Sequence, residues 1–178
     1  MASKILLVLV PLIIALLPGE GWKPDQAKAK IMFSVKGPFG TVHGNFSGLK
    51  ATINFNEKDP AAGSFSASVD VKTISTGIKL RNSDLRDKEL WFNAGKYPQI
   101  SFKSKKIEKT KDGYMVNGDL TLKGVTKLVT IPFQFTQNAA AGIFKGQFTL
   151  KRQDYHLGKE GGSVGSIVTI DLELPVTK

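Results

Sequence analysis

The sequence predicts an all-β protein of about eight antiparallel strands, and three observations point to this fold class. Apolar residues occupy every second position through most of the chain, which is typical of strands that bury one face. Short stretches rich in Gly, Pro, Asn and Asp separate the alternating segments. Residues 77–92 instead carry the spacing of short helical turns. Such strands either pack as a sandwich or close into a barrel, and a barrel of about eight strands can hold a small ligand.

Each strand is defined by its own alternation and by the turn signal that precedes it. In the second strand the parity changes across Ser47-Gly48, which a β-bulge explains. The turn segment 56–63 leads to the third strand, and Asp112-Gly113 and 123–126 are typical of hairpin turns. The predicted strands cover residues 31–35, 42–55, 65–71, 99–109, 118–122, 129–136, 144–150 and 168–174.

The helical segment interrupts this series between the third and fourth strands. Leu80, Leu85 and Trp91 are spaced by charged residues, and Ser83 or Asp84 is suited to cap a turn. No repeat, linker or low-complexity tract follows, so the alternating region forms one domain.

The first 21 residues predict a secretory signal peptide. Lys4 precedes an apolar run of 13 residues, and small residues follow at Gly19 and Gly21. The run is too short for a helix to span about 30 Å of hydrocarbon, which disfavours a retained membrane anchor. We expect cleavage just before Trp22, which leaves domain 22–178 in the periplasm or secreted from the cell.

The formal net charge is +10, and removal of the signal leaves it unchanged because the signal holds one lysine and one glutamate. A basic chain favours anionic partners. The lysine-rich run 103–111 either protects a strand from aggregation or contacts an anionic membrane surface. Nucleic acid is disfavoured by export and by aromatic residues that lie on the opposite face. Whether two barrels pair as a homodimer stays open.

The sequence gives little support to catalysis or to a metal site. Ser163 lies in a literal G-x-S-x-G match, but a strand follows it where a nucleophile elbow needs a helix. His43 and His156 lack the spacing of a metal-ligand pair, and the chain has no cysteine. We therefore expect no enzyme, no metal and no cofactor.

Several motifs resemble the YceI-like family of exported lipid-binding domains, from Trp22 nearly to the end of the chain. The departure lies in the helical segment, where Asp84-Leu85 stands near the family's His-Leu pair, so no role of that histidine is carried over. The matching pieces are IMFSV at 31–35, VHGNFSGLKATINF at 42–55, SVDVKTISTG at 68–77, KYPQISFKS at 96–104, VNGDLTLKGVTKLVTIPF at 116–133, KRQDYHLG at 151–158 and SVGSIVTIDLEL at 163–174.

This resemblance implies an eight-stranded antiparallel lipocalin-like barrel with a short helical segment near residues 77–92. It also implies a long apolar lipid, of isoprenoid type, in the lumen. Basic or aromatic residues at the mouth are candidates to meet the headgroup: Lys79, Arg81, Arg86 and Trp91. The lumen candidates are Phe33, Val35, Phe55, Phe65, Val69, Phe102, Gly118, Leu120, Phe133, Phe135, Gly146, Phe148, Ile170 and Leu172.

Two of these candidates are glycines on apolar strand faces. Gly118 and Gly146 either leave room in the lumen or allow the strands to bend. The sequence thus predicts a carrier, storage or sequestering protein for an isoprenoid-like lipid. The alternative is a packed barrel that acts as an interaction or regulatory domain through its outer surface.

Overall fold

The computed structural model describes residues 21–178, so the predicted signal peptide lies outside the described residues except for Gly21. The described chain forms ten strands and one α-helix, α1. Short 3-10 turns lie at Pro60–Ala62, Val71–Thr73 and Arg152–Tyr155. The elements are β1 Gly21–Pro24, β2 Lys30–Gly37, β3 Gly40–Phe46, β4 Lys50–Asn54, β5 Ser64–Asp70, α1 Lys79–Asp87, β6 Gln99–Thr110, β7 Gly113–Leu122, β8 Val125–Asn138, β9 Ala141–Lys151 and β10 Ile167–Thr177.

The ten strands close into an eight-stranded antiparallel barrel, which confirms the predicted fold. β1 and β2 follow one another along the same edge of β10, and β3 and β4 likewise continue one another. Each of these pairs therefore serves as one interrupted strand. β1 pairs with both β4 and β10 and so closes the ring. Apart from these two pairings and that of β10 with β2, strands that are neighbours in the barrel are also consecutive in sequence.

The predicted bulge at Ser47-Gly48 is a break between β3 and β4. Gly48 has a φ of +70°, a left-handed conformation that glycine adopts readily, and pairing resumes at Lys50. The four-residue strand β1 was not predicted, because Trp22 alone gives no alternation. Its indole N–H donates to the carbonyl of Phe55 at 3.1 Å, which ties β1 to the end of β4.

One end of the barrel is closed by an aromatic cluster, called the aromatic floor below. Neighbouring ring centroids lie between 4.3 Å and 5.9 Å apart, mostly edge to face, and Phe55 contacts five of the other rings. Such pairs each contribute about 0.5–1.5 kcal/mol beyond the area they bury. The floor consists of Trp22, Phe55, Phe65, Tyr114, Phe133, Phe135 and Phe144.

The opposite end is covered in part by α1 and the segment 88–97, which together we call the lid. Leu85 packs against Phe46, Val69 and Ile74 at this end. Asn82 Oδ1 accepts hydrogen bonds from the amide and the hydroxyl of Thr76 at 2.8 Å and 2.6 Å. No helix among residues 21–178 has the length and apolar character needed to cross a bilayer.

The helix cap predicted at Ser83 or Asp84 is wrong. The helix begins earlier, at Lys79, so both residues lie inside it, and Ile78 occupies the N-cap position without a side-chain hydrogen bond. The spacing of apolar residues between charged ones predicted the helix correctly. The side-chain hydrogen bonds that hold the start of the helix are instead those between Asn82 and Thr76.

Candidate functional site

A continuous cavity of about 650 Å³ occupies the barrel between the aromatic floor and the lid. Its walls are mainly the inward-facing apolar side chains of the strands, together with residues of the lid. The lining surface is almost entirely hydrocarbon. A cavity of this size falls in the range of about 300–1,000 Å³ that small-molecule sites occupy.

Most of the predicted lumen residues line this cavity. Alternation therefore identified the inner face correctly, whereas contact of these residues with a ligand stays a prediction. The predicted residues found in the lining are Phe33, Val35, Phe65, Val69, Phe102, Leu120, Phe133, Gly146, Phe148, Ile170 and Leu172.

Phe55 and Phe135 are corrections to the predicted lumen. Both point inward but lie within the aromatic floor, where Phe55 is 2% exposed. The ring of Phe135 is stacked on Phe144 at 4.3 Å and meets Trp22 at 5.1 Å. They close the cavity at its end and do not line it.

The two glycines have different surroundings. A Cβ at Gly118 would lie 2.5 Å from the Phe102 ring and from the Lys103 carbonyl, so the ring fills the space that Gly118 was expected to leave in the lumen. Gly146 does line the cavity. A Cβ there would nevertheless lie 3.0 Å from the Pro132 carbonyl, so a larger side chain would strain the wall as well as occupy the lumen.

Two of the four residues predicted for the mouth line the cavity, and two do not. Arg81 and Trp91 line the open end of the cavity, whereas Lys79 and Arg86 are not in the lining. The Arg86 guanidinium makes two 2.7 Å hydrogen bonds to the Asp87 carboxylate. Arg81 donates to the hydroxyl and the carbonyl of Thr76 at 2.8 Å and 3.0 Å.

Arg152 is a charged lining residue that the sequence analysis did not identify. The residue is 3% exposed, and its guanidinium donates to four carbonyls, those of Leu157, Lys159, Val164 and Gly165, at 2.6–3.2 Å. It also lies over the Trp91 ring, 5.6 Å from the centroid. Burial lowers the pKa of Arg152, and the carbonyl oxygens take the place of a carboxylate in stabilising its charge.

The residues considered for catalysis or metal binding do not form a site. Ser163 lies in an exposed loop that leads into β10, without the helix of a nucleophile elbow. Among residues 21–178, no three His, Cys, Asp or Glu side chains come together in a way that would hold a metal ion.

The fold and the cavity define a class of protein: antiparallel β-barrels with an apolar, blind lumen of ligand size. Within that class the chain belongs to the YceI-like domain family, which it matches over residues 22–176. A UPF0312 protein of Yersinia enterocolitica is 31% identical over 142 residues, which cover 76% of this chain and 73% of the relative. A UPF0312 protein of Yersinia pseudotuberculosis is 30% identical over the same shares.

Solved structures share the barrel. BcnA of Burkholderia cenocepacia is 32% identical, with a TM-score of 0.82 over 87% of this chain and 100% of that chain. A polyisoprenoid binding domain from Saccharophagus degradans, implicated in plant cell wall breakdown, has a TM-score of 0.66 at 17% identity. That match covers 88% of this chain and 97% of the other, and at this identity it shows the fold alone.

Proposed function

We propose that this protein is an exported binding protein, periplasmic or secreted, that holds a long apolar lipid of isoprenoid type in its lumen. The observation that carries the proposal is the cavity of about 650 Å³ with a hydrocarbon lining and a closed floor. Each CH₂ group moved from water into such a lumen gains about 0.8 kcal/mol. A chain of isoprene units offers many such groups and needs no polar partner along its length.

Two further observations support a binding role. The chain belongs to the YceI-like family, and a structure with the same barrel is described as a polyisoprenoid binding domain. The charged residues of the lining fall into two groups: Arg81, Asp84 and Arg152 lie near the open end, and Glu173 forms ion pairs with Lys30 and Lys145. Neither group is an arrangement of acid and base of the kind that catalysis of lipid chemistry would use.

The test is to isolate the protein from cells that export it, extract it with organic solvent and identify what is released by mass spectrometry. We expect a long-chain isoprenoid lipid in amounts close to one per protein. Protein that carries no lipid, and that takes up none of a C20 isoprenoid alcohol such as geranylgeraniol, would support the alternative of a surface interaction domain.

A variant that fills the lumen sharpens this test. Ala67 lines the cavity beside its cross-strand neighbours Ala51 and Phe102, so Ala67→Phe places a ring in the space the lipid needs. We expect at least about a tenfold loss of co-purified lipid, since several buried carbons are displaced. Ser64→Phe, at an exposed position of the same strand, is the matched control and should keep its lipid. Melting temperatures of both variants show whether each is folded.

We propose that the open end of the cavity, here called the mouth, is the surface that contacts an anionic membrane. Phe39, at the tip of the β2–β3 hairpin, is fully exposed, and Leu80 is 75% exposed while it lines the cavity. Lys79 adjoins Leu80 in sequence and adds positive charge. The lysine run 103–111 lies instead along β6, where Lys105 pairs with Asp119 at 2.7 Å and Lys106 with Glu108 at 2.8 Å. A lipid leaving a bilayer at the mouth would enter the lumen directly.

A further inference from the structure

The wall of the barrel has a gap between β8 and β9. The two strands pair from Asn138↔Ala141 only as far as Phe133↔Gly146. Beyond that point, residues 125–132 of β8 pair only with β7, and residues 147–151 of β9 pair only with β10. The halves of β8 and β9 near the lid therefore face each other without a backbone ladder.

Pro132 explains where the ladder ends. Asn138 and Ala141 flank a two-residue turn, a position at which the paired residues exchange both hydrogen bonds. Every second pair along the ladder is hydrogen-bonded in this way. The next hydrogen-bonded pair after Gln134↔Lys145 would join Pro132 to Gln147. A proline has no N–H to donate, so pairing stops at that residue.

The gap contains a second pocket, of about 280 Å³, with a polar character that the lumen lacks. Its walls include Lys127 and Thr130 of β8, Thr149 and Lys151 of β9, and Tyr155. By the same alternation, the backbone N–H and C=O groups of Thr130 and Thr149 point into the gap without a strand partner. Backbone groups left in this state need water or a ligand to satisfy them.

Tyr155 supplies the most specific feature of this pocket. The residue is 2% exposed, and its hydroxyl has no hydrogen-bond partner among residues 21–178. Its ring is fixed by contacts in a cluster with Leu120, Leu122 and Leu157. Burial, and to a lesser extent the charge of Asp154, raise the pKa of Tyr155, so the hydroxyl keeps its proton and can donate.

The gap adjoins the lumen. Leu150 lines both the large cavity and the polar pocket, and Val129 and Phe148 pack in the same cluster as Tyr155. A chemical group that passes between β8 and β9 at this level has side chains to move aside but no backbone hydrogen bonds to break.

We propose that this gap is the subsite for the polar end of the lumen lipid, with the Tyr155 hydroxyl donating to an oxygen at the end of the apolar chain. The inference rests on the proposed function and names the ligand class further: an isoprenoid that ends in a hydrogen-bond-accepting oxygen, whether hydroxyl, carbonyl or phosphate. At the mouth, Arg81 and Arg152 already donate to protein oxygens, whereas the Tyr155 hydroxyl has no acceptor.

The experiment compares two probes with the same C20 chain: geranylgeraniol and the hydrocarbon in which hydrogen replaces its hydroxyl. Their affinities are measured by displacement of a fluorescent apolar probe from the full chain. Tyr155→Phe should weaken binding of the alcohol about tenfold and leave the hydrocarbon unchanged. Tyr114→Phe is the matched control, because its hydroxyl bonds to Glu57 at the floor, and it should change neither affinity.

A second variant tests the gap itself. Pro132→Val supplies the missing N–H, so the ladder can extend toward Lys151 and narrow the pocket; this variant should lose the preference for the alcohol over the hydrocarbon. Melting temperature identifies folding defects, and Tyr155→Phe should melt no lower than the wild type because its hydroxyl has no partner to lose.

The outcomes separate the inference from the proposed function. A wild-type protein that binds neither probe contradicts the proposed function and the inference together. If both probes bind and Tyr155→Phe weakens neither, or both equally, the headgroup subsite alone is wrong. Selective loss of the alcohol in Arg81→Met, without such a loss in Tyr155→Phe, would place the polar end at the mouth instead.

Discussion

Arg152 shows how one side chain can organise a loop of the barrel. The segment from 157 to 166 contains four glycines and little regular structure, yet four of its carbonyls converge on one guanidinium. The planar fork of arginine presents several donors at fixed angles, which an ammonium group cannot reproduce. The loop therefore depends on Arg152 for its shape, and Trp91 covers the same group from the lid.

Replacing this residue should be costly. Arg152→Met removes all the donors and leaves buried carbonyls unpaired, so we expect the free energy of unfolding to fall by at least about 3 kcal/mol. Urea denaturation measures the change. Arg86→Met, which removes an exposed guanidinium paired only with its neighbour Asp87, should leave the denaturation midpoint nearly unchanged. Equal effects of the two substitutions would mean that the contacts of Arg152 do not stabilise the loop.

The sequence could not identify Arg152, because its partners are backbone carbonyls, which carry no residue-type signal. Alternation was more informative for Phe33 or Ile170, since a period of two assigns a side chain to one face of the sheet. It does not report depth along the barrel axis. Phe55 and Phe135 were therefore expected in the lumen, although they belong to the floor.

At the scale of elements, the lid depends on a small tether. Asn82 accepts two hydrogen bonds from Thr76, and Arg81 bonds to the same threonine, so the first turn of α1 is joined to the chain that leads into it. The helix itself buries none of its residues fully. Its position over the cavity therefore owes more to this tether and to Leu85 than to a packed face.

We expect Asn82→Ala to loosen the lid selectively. Loss of the two hydrogen bonds should cost about 1–2 kcal/mol and increase amide hydrogen exchange in α1 while the strands stay protected. Ser83→Ala is the control, because the Ser83 hydroxyl bonds only to exposed Asp87. Uniform acceleration of exchange across the barrel in Asn82→Ala would show that the tether supports the whole fold and not the lid alone.

The elements themselves followed well from the sequence, with informative exceptions. Residues 118–122 and 129–136 lie in β7 and β8 as predicted, because hydrophobic alternation on both sides of a short turn indicates a hairpin without tertiary information. The turn is shorter than the predicted segment 123–126, since Leu122 already pairs with Val125. Strand β1 was not predicted, because four residues are too few to show an alternation of apolar and polar side chains. The end of the β8–β9 pairing at Pro132 was not predicted either. The hydrophobic alternation is the same on both sides of the proline and does not show which neighbouring strand loses a hydrogen bond.

At the scale of the whole molecule, the proposed contact of the mouth with an anionic bilayer can be tested by substitution. The double substitution Phe39→Ser and Leu80→Ser removes two exposed apolar groups and should greatly reduce co-sedimentation with anionic phospholipid vesicles. Vesicles of zwitterionic lipid should bind the wild type less, and added salt should weaken the anionic contact. Both side chains are exposed, so the fold should be unaffected.

Leu128→Ser provides the control for that experiment. Leu128 is also a largely exposed apolar residue, 63% accessible, but it lies on the outer wall of β8, separated by β9 and β10 from the β2–β3 hairpin that carries Phe39. Its replacement should leave vesicle binding unchanged. If Leu128→Ser weakens binding as much as the double variant does, general surface hydrophobicity and not the mouth mediates the contact.

Under the proposed function, the aromatic floor sets the length of lipid chain that the lumen can bury. A lipid that enters from the lid gains about 0.8 kcal/mol with each further CH₂ it brings inside, until its end meets the rings of Phe133 and Phe144. Carbons added after that stay in water and contribute nothing. Affinity plotted against the number of isoprene units should therefore climb and then level off, and the bend in that plot measures the depth of the tube. The protein would then select lipids by chain length, without a side chain that recognises any particular isoprene unit.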